Sequence, residues 1–293
     1  ALNRSQIETI LNSDLIGEEP GLLNLWKFNS GEGDLLFDHS GNLSHGNING
    51  ALWYLDPIFG CMDPLAPNFN PEANINDQSC AGYPDAGDYA LSFDGEDDYV
   101  EIEETGEISP FNLSVGSWVK LDNNSFDEDI VVVGKFDNVE GKSWKLCISS
   151  SSIGYNIPYF TFRNATGGNK TVNGTTILET GIWYHITGTF DGVNQKIYVN
   201  GFLDNSQTQS NASINTSITD ITIGGNNQGT TALMHGQIDD VFLFDFAMNE
   251  DQVTLAAESK LDGDEDGLLS YWNFDASEGD IIFDRTGNYK HGT

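Results

Sequence analysis

Residues 182–204 read IWYHITGTFDGVNQKIYVNGFLD, and their apolar residues alternate with polar ones on both sides of Asp191-Gly192. Alternation with a period of two predicts strands that bury one face, and a short turn between two such runs predicts a hairpin. Similar segments, separated by turns rich in Gly and Asn, follow one another from residue 21 to residue 246. The sequence therefore predicts an all-β fold, a two-sheet antiparallel jelly-roll sandwich. We expect His185, which lies among aromatic residues of this hairpin, to pack in the core.

The charge of the chain limits its partners. Its 293 residues include 45 acidic and 12 basic side chains, a net charge of −33. Nucleic acids and anionic membranes are bound through basic surfaces, so we expect neither as a partner. No apolar run approaches the roughly 20 residues that span a bilayer, so we expect no direct membrane insertion. Self-repulsion on this scale needs salt or bound cations, which favours an extracellular or cell-surface setting that is rich in calcium.

The beginning of the chain is repeated near its end. Residues 21–46 read GLLNLWKFNSGEGDLLFDHSGNLSHG, residues 267–292 read GLLSYWNFDASEGDIIFDRTGNYKHG, and 14 of these 26 positions are identical. We expect one period of a tandem array followed by the opening of the next period. Two alternatives stay open: a complete protein with duplicated ends, or a last strand that is donated to a neighbouring subunit.

Two short helices are expected to flank the strands. Residues 249–261 and their repeat, residues 3–15, each begin with an Asn-x-x-Gln capping box before an apolar stripe. The expected divisions are the C-terminal helix of a preceding repeat (1–17), the jelly roll (20–257, with a loop insert at 55–87), an acidic linker (258–266) and the first strands of the next repeat (267–293).

The insert is bracketed by cysteines. Cys61 and Cys80 enclose a segment rich in Pro and Asn. A disulfide between them would stabilise a segment with little core of its own, and it would imply an oxidising compartment. Cys147 lies in an apparent strand, and we expect a buried free thiol there.

Three segments carry a family resemblance: ALSFDGEDDYVEI (90–102), WYHITGTFDGVNQKIYVNG (183–201) and GQIDDVFLFDFAMNEDQV (236–253). In this order and spacing they resemble the laminin-G-like jelly roll of the concanavalin A-like lectin/glucanase superfamily, as it occurs in secreted bacterial surface proteins. The resemblance covers roughly residues 20–257. The insert departs from the family plan, which has a short link there, and we expect it to be a loop excursion outside the sandwich.

The resemblance also implies a calcium site. Hard cations take oxygen ligands from Asp, Asn and backbone carbonyls. In the family, the strands that carry the DGEDD-like and IDDV-like segments lie close together, and similar acids bind calcium in many members. The alternative is that these acids face solvent or cap turns. The expected ligands are Asp94, Asp97, Asp98, Asp239 and Asp240.

Two further acidic segments are weaker candidates. The linker acids Asp262, Asp264 and Asp266 have the D-x-D-x-D-G spacing of a calcium loop, but Asn273 stands where such a loop needs a glutamate. A solvated linker explains them nearly as well. Asx turns are the preferred explanation for the polar residues of the insert, which are Asp63, Asn68, Asn70, Asn74, Asn76 and Asp77.

A glycan site would combine an aromatic platform with polar groups, often beside a calcium ion. Most aromatic residues of a sandwich lie in its core, so each nomination rests on an expected place in a loop or on an exposed strand face. The nominated residues are Trp144, Tyr155, Tyr159, Arg163, Asn226 and Asn227.

Catalysis is not expected. Glucanases of the superfamily carry paired glutamates as E-x-D-x-x-E, and a retaining mechanism needs its two carboxyl groups about 5–5.5 Å apart. The sequence lacks this motif, and it contains no nucleophile elbow, HExxH, P-loop or Cys-His arrangement.

The sequence thus predicts a non-catalytic, calcium-supported repeat module of an extracellular adhesin or surface filament. Its expected partners are a glycan or a surface protein, and neighbouring repeats of the same protein. The alternative is a purely structural spacer or filament subunit joined by strand exchange, which the short linker of about ten residues favours. A glycoside hydrolase-like enzyme is the third and least favoured class.

Overall fold

The computed structural model describes residues 7, 10, 15–55, 57–103, 112–122, 128–136, 141–150, 155–226 and 231–293. They form two compact units, an amino-terminal unit (Ala1–Ile58) and a sandwich unit (Phe59–Thr293). Among the described residues, none of the helices combines the length and the apolar character that crossing a bilayer requires.

The amino-terminal unit contains the first copy of the repeated sequence, residues 15–47 (the first copy hereafter). Its regular structure is a two-stranded antiparallel pair, β1 (Leu35–Leu36) and β2 (Gly46–Asn47). The helix expected at residues 3–15 lies almost entirely outside the described residues, of which only Ile7 and Ile10 are helical.

The sandwich unit opens with a short parallel pair in the insert and continues into two large sheets whose pairings are all antiparallel. The parallel pair is β3 (Phe59–Gly60) and β4 (Ile75–Asn76). The strands that follow are β5 (Leu91–Asp94), β6 (Val100–Ile102), β7 (Leu113–Leu121), β8 (Ile130–Phe136), β9 (Lys142–Ile148), β10 (Pro158–Arg163), β11 (Asn169–Asn173), β12 (Trp183–Phe190), β13 (Asn194–Val199), β14 (Phe202–Thr208), β15 (Ile221–Ile223), β16 (His235–Phe244) and β17 (Leu268–Trp272).

One sheet has six strands in the order β11-β10-β9-β8-β15-β6, and the other has seven, in the order β14-β13-β12-β7-β16-β17 with β5 also on β16. The large apolar side chains of both sheets form one core cluster, which includes Trp144, Phe160, Phe190 and Trp272. The predicted all-β two-sheet sandwich is therefore confirmed.

The hairpin that opens the sequence argument is β12–β13. Asp191 Oδ1 accepts hydrogen bonds from the backbone N–H groups of Val193 and Asn194, and Gly192 has a φ of +91°. His185 on β12 is buried, as expected, and its ring stacks on Phe242 with centroids 5.8 Å apart. Burial lowers the pKa of His185 to about 3, so the ring is neutral at physiological pH.

One helix, α1 (Glu250–Glu258), follows β16. The predicted capping box is confirmed, since the side chain of Asn249 accepts from the backbone N–H of Gln252 and the side chain of Gln252 accepts from that of Asn249. Val253 and Ala256 bury the inner face of the helix.

The predicted disulfide joins Cys61 and Cys80, and Cys147 is a buried free thiol. The loop that this disulfide closes does not stand apart from the sandwich unit. Asn76 Nδ2 donates to the carbonyl of Gly287 at 3.1 Å, and Gln78 Nε2 donates to Asn288 Oδ1 at the same distance. The insert thus contacts the end of the chain. We expected instead a loop that lies outside the sandwich.

The second copy of the repeated sequence, residues 261–293 (the second copy hereafter), completes both sheets of this same unit. β17 pairs with β16 from Val241 to Phe244. Thr293 exchanges two backbone hydrogen bonds with Glu101 of β6, at 2.9 and 3.0 Å. Residues 267–293 therefore pair with strands of the same chain in this structure. The jelly roll was expected to end at residue 257. In the structure its sheets also include residues beyond that position, since β17 begins at Leu268.

This arrangement makes the two equivalent tryptophans a matched pair. Trp272 is fully buried, whereas Trp26 is 42% exposed. We expect Trp272→Ala to lower the free energy of unfolding of the sandwich unit by about 3–5 kcal/mol, because it removes a large core side chain. Trp26→Ala should cost far less, within about 1 kcal/mol. Denaturant titration of both variants checks this, and equal costs would contradict the assignment of the second copy to the core.

Candidate functional site

Three of the predicted calcium ligands meet where β5 turns into β6. The carboxylates of Asp94, Asp97 and Asp98 each offer an oxygen within 4.8 Å of the others. Asp94 Oδ1 accepts from the backbone N–H of Glu96 at 2.8 Å, and Asp98 Oδ2 accepts from the N–H of Asp94 at 2.9 Å. Gly95 turns the chain with a φ of +79°, and a Cβ there would lie only 2.9 Å from that of His235. We call these three carboxylates the acidic rim.

Tyr99 and the segment that carries Asn226 lie close to the acidic rim. Tyr99 follows Asp98 directly and is 37% exposed. Strand β15 pairs with β6 through Ile223 and Val100, and this pairing brings Gly225 close to the turn. A Cβ on Gly225 would lie 3.4 Å from Cβ of Tyr99 and 3.9 Å from the carbonyl oxygen of Asp98. The next residue, Asn226, is one of the nominated glycan ligands, and its Oδ1 is buried without a hydrogen-bond partner among the described residues.

This rim can bind a cation chemically. Three carboxylates held together in an exposed turn repel one another, and a hard cation that bridges them removes that repulsion. Backbone hydrogen bonds already fix two of the three side chains, so little conformational entropy is left to lose on binding.

The other two predicted ligands lie elsewhere. Asp94 is opposite His235 in the β5–β16 pairing, and Asp239 follows His235 by four residues, about 13 Å along the strand at ~3.3 Å per residue. The strands therefore pair as the resemblance implies, but the structure does not bring all five acids into one site. The register of β16 against β7 shifts between Asp239 and Phe242, at the position of this second pair of acids.

Asp239 and Asp240 occupy the point at which β16 changes partner from β5 to β17. Asp240 has a φ of +49°, and its carboxylate accepts a hydrogen bond from the hydroxyl of Tyr271. Burial and the neighbouring Asp240 charge raise the pKa of Asp239 to about 8. Burial also raises the pKa of Asp240, against the effect of the Tyr271 hydrogen bond. We call this pair the seam acids.

A salt bridge from the second copy closes the seam. Lys260 Nζ lies 2.9 Å from Asp275 and 2.7 Å from Asp88. Asp275 is buried, and it accepts from the backbone N–H of Tyr89 at 3.0 Å. Burial opposes the charge on Lys260, but its hydrogen bonds with Asp88 and Asp275 raise its pKa. The segment that leads into β5 is thereby held to the second copy.

The linker acids border an open cavity. Asp262 and Asp264 line a space of about 430 Å³ that faces Asp77 of the insert. Glu265, which the sequence argument did not nominate, ties the linker down by accepting from the backbone N–H groups of Asp262 and Gly263 at 2.8 and 3.0 Å. Asp266 is exposed. Among the described residues, the linker acids form no cluster in which three carboxylates converge.

Most polar residues of the insert have structural partners. Four side-chain oxygens accept hydrogen bonds from the backbone N–H group two residues ahead, as in an Asx turn; they belong to Asp63, Asn70, Asn76 and Asp77. Asx turns were the preferred explanation for these residues. Asn68 instead spans the loop to Ser79 and Ala81. Asp63 has a second role, since its Oδ2 accepts from the hydroxyl of Tyr83 and lies 2.8 Å from Nε2 of His291.

The nominated glycan residues are scattered. Trp144 is fully buried and Tyr159 is 7% exposed with its hydroxyl on Asp129, so neither ring is presented to solvent. Tyr155 is 58% exposed, and Arg163 donates to Asn169 at 3.4 Å. Asn227 lies outside the described residues. Tyr99 was missed because its position between Asp98 and Val100 fits the alternation of an ordinary strand residue.

Comparisons with known proteins agree on the fold. A laminin G-like family model described as Concanavalin A-like lectin/glucanases superfamily matches residues 94–254. No curated protein matches the sequence.

Three solved structures illustrate the likeness. A Bacteroides ovatus protein to which carbohydrate binding has been attributed matches at 18% identity with a TM-score of 0.54, over 77% of this chain and 63% of its own. A heptameric SAP-like pentraxin from Limulus polyphemus matches at 16% identity and a TM-score of 0.44, over 57% and 81%. The ligand-binding domain of botulinum neurotoxin serotype D, in complex with N-acetylneuraminic acid, matches at 15% identity with a TM-score of 0.46, over 59% of this chain and 45% of its own. The chain spans less than two thirds of the first structure's length, and these identities concern the fold alone.

The seam acids predict a pH dependence of stability. Because the pKa of Asp239 is raised from 3.8 to about 8 in the folded chain, the folded state holds a proton that the unfolded chain releases, so stability falls as pH rises from about 4 to 8. Asp239→Asn should flatten this fall. The melting temperature of the variant, measured relative to the wild type, should therefore be a few degrees higher at pH 8 than at pH 5. The matched control is Asp280→Asn, which removes an exposed charge. Parallel pH profiles of both variants would contradict the account.

Proposed function

The chain belongs to the concanavalin A-like lectin/glucanases superfamily, and from that premise we propose that it is a non-catalytic module that binds a glycan at the acidic rim. The observation that carries the proposal is a cluster of three carboxylates in a turn that leads directly into a partly exposed tyrosine, near an amide whose oxygen has no hydrogen-bond partner among the described residues.

Each part of the rim has a chemical role. The ring of Tyr99 offers a flat apolar face on which the C–H face of a sugar ring stacks. Carboxylates accept hydrogen bonds from sugar hydroxyl groups, and the Asn226 amide sits within one residue of the glycine that contacts Tyr99. A fold shared with the Bacteroides ovatus protein to which carbohydrate binding has been attributed supports this class of ligand.

Calcium is the proposed partner of the rim. Asp94, Asp97 and Asp98 would supply carboxylate oxygens, and water or sugar hydroxyls would complete the shell, as hard cations prefer. A chain with a net charge of −33 gains further from any bound cation. The rim calcium would then fix the loop that presents Tyr99.

The absence of a catalytic pair from the sequence supports binding over hydrolysis. The E-x-D-x-x-E motif does not occur, and the glutamates of VEIEETGE (100–107) do not have its spacing.

We further propose an extracellular or cell-surface setting, in a tandem adhesin or filament. The Cys61–Cys80 disulfide fits an oxidising compartment. The repeated sequence fits an array in which neighbouring repeats are partners. A spacer without a ligand remains the second candidate, because the second copy integrates tightly into the sandwich whatever the rim binds.

A glycan array in calcium, repeated with EDTA, tests the binding site. We expect a signal for one polysaccharide class that is lost with EDTA and is reduced about ten-fold in affinity by Tyr99→Ala, the effect of losing about 1.4 kcal/mol. Tyr155→Ala is the matched control, because Tyr155 is exposed outside the rim. Loss of binding in Tyr155→Ala but not in Tyr99→Ala would move the site, and no signal in any class would favour the spacer.

Thermal melts test the metal separately. If calcium binds with a Kd of about 1 mM, 10 mM calcium stabilises the chain by about 1.4 kcal/mol, or about 3–5 °C. Sodium chloride at equal ionic strength controls for screening of the acidic surface. Asp98→Asn should lose the calcium-specific shift and Asp280→Asn should keep it. Identical midpoints in calcium and in matched sodium chloride would refute the calcium claim.

A further inference from the structure

The two copies of the repeated sequence have the same local structure. Leu36 pairs with Gly46 in the first copy, and the equivalent residues Ile282 and Gly292 pair in the second. Each copy also begins with a glutamate that accepts two backbone N–H groups, Glu19 in the first and Glu265 in the second, at 2.8–3.0 Å.

A buried aspartate organises the centre of each copy. Asp38 Oδ1 accepts from the N–H of Leu25 at 2.9 Å, and Asp284 Oδ1 accepts from the equivalent Tyr271 at 3.1 Å. The N–H of each aspartate donates to Nδ1 of a histidine, His45 or His291, at 3.0 Å in both copies. The tryptophan indoles match too, since Trp26 and Trp272 donate to the carbonyls of Ser44 and Lys290 at 2.9 and 2.8 Å.

The two copies differ in what covers their apolar face. In the second copy Trp272 is fully buried and Phe274 is 6% exposed, both in the core of the sandwich. In the first copy the equivalent Trp26 and Phe28 are 42% and 72% exposed. The first copy thus holds the conformation of a docked element while its docking face is exposed.

The second copy shows what covers such a face. Its strand lies on β16, its last residues lie on β6, and its His291 reaches Asp63 of the insert. We call this surface the seat. Tyr83 of the insert stacks on Phe283 with ring centroids 5.2 Å apart, so the insert supplies part of the seat.

Gly46 provides independent support. A Cβ on Gly292 would lie 2.6 Å from Cγ1 of Val100 on β6, so glycine is required there by close packing. At Gly46 the nearest atoms to such a Cβ are on Leu36 at 3.6 Å, and the residue is not among those with positive φ. The amino-terminal unit therefore gives no steric reason for glycine at position 46, whereas a β6-like strand does.

The first copy keeps most of the contact positions. Residues that contact the seat in the second copy and are retained in the first are Trp26, Phe28, Phe37, Gly41, Asn42, His45 and Gly46, with Leu36 for Ile282. Phe37 and His45 also keep the edge-to-face contact of Phe283 and His291, at 5.6 and 5.4 Å. Other contact positions change, since Asn24, Leu25, Asn29, His39 and Asn47 replace Ser270, Tyr271, Asp275, Arg285 and Thr293.

We propose that the first copy is a complementing element that docks in the seat of the sandwich unit of a second copy of this chain. Because the chain's own second copy fills the seat, the first copy of one chain docks in the seat of another only where that second copy is displaced, and one copy of the repeated sequence then closes each sandwich. The partner surface is defined by β16, β6 and the disulfide-bonded insert. This inference does not depend on glycan binding at the rim.

The test uses full-length chains with one seat vacated. The acceptor is Trp26→Asp plus Trp272→Asp, which disables both copies and frees the seat. The donor is the wild-type chain, and the matched control donor is Trp26→Asp, which keeps its own seat filled. We expect sedimentation velocity to show a 1:1 complex of acceptor and wild-type donor, with a rise of about 4 °C in the acceptor's melting temperature when the donor is about ten-fold above its Kd. The control donor should give neither.

A milder acceptor, Trp26→Asp plus Phe274→Ser, covers the case in which Asp at position 272 prevents folding. A complex with either acceptor that requires Trp26 in the donor supports the proposal. The proposal is overturned if neither acceptor forms a complex at donor concentrations up to about 100 μM, which corresponds to a binding free energy weaker than about −5.5 kcal/mol. It is also overturned if the control donor forms the complex as well as the wild-type donor does.

Discussion

The structure depends on one strand, β16 (His235–Phe244), which pairs with β7 along one edge and divides its other edge between two partners. Its first half pairs with β5 and its second half with β17, which comes from the second copy of the repeated sequence. A strand edge that lacks β17 would expose unpaired backbone groups beside a hydrophobic core. The second copy is therefore part of this sandwich.

The other features of the chain follow from that constraint. The change of partner leaves Asp239 and Asp240 at a seam, where burial raises the pKa of both carboxyl groups. Lys260 and Asp275 hold the approach to β5 against the second copy. The disulfide-bonded insert, which has only a small core of its own, places Asp63 and Tyr83 beneath His291. The pairing of β5 with β16 ends with Asp94 opposite His235, and it thereby fixes the turn that carries the acidic rim.

The sequence predicted what is decided locally. Alternation gave the β12–β13 hairpin and the sandwich, the Asn249–Gln252 spacing gave the helix cap, and cysteine spacing gave the disulfide. It could not assign the second copy to a partner, because a strand pattern does not state which edge it pairs with, and pairing across the chain is non-local. Tyr99 was missed for a related reason: its exposure depends on the turn before it. The separation of the five acids depends on the register of β5 against β16, which places Asp94 opposite His235 and which a residue pattern does not determine.

Hydrogen exchange of the wild-type chain tests the central claim most directly, because protection reports which copy is built into a cooperative core. The account predicts that the amides of residues 268–272, which form β17, exchange with the slow rates of the neighbouring β16. The equivalent amides of residues 22–26 should exchange faster by at least about 100-fold, a difference of about 2.7 kcal/mol in opening free energy. Equal protection of the two segments, or faster exchange in residues 268–272, would contradict it.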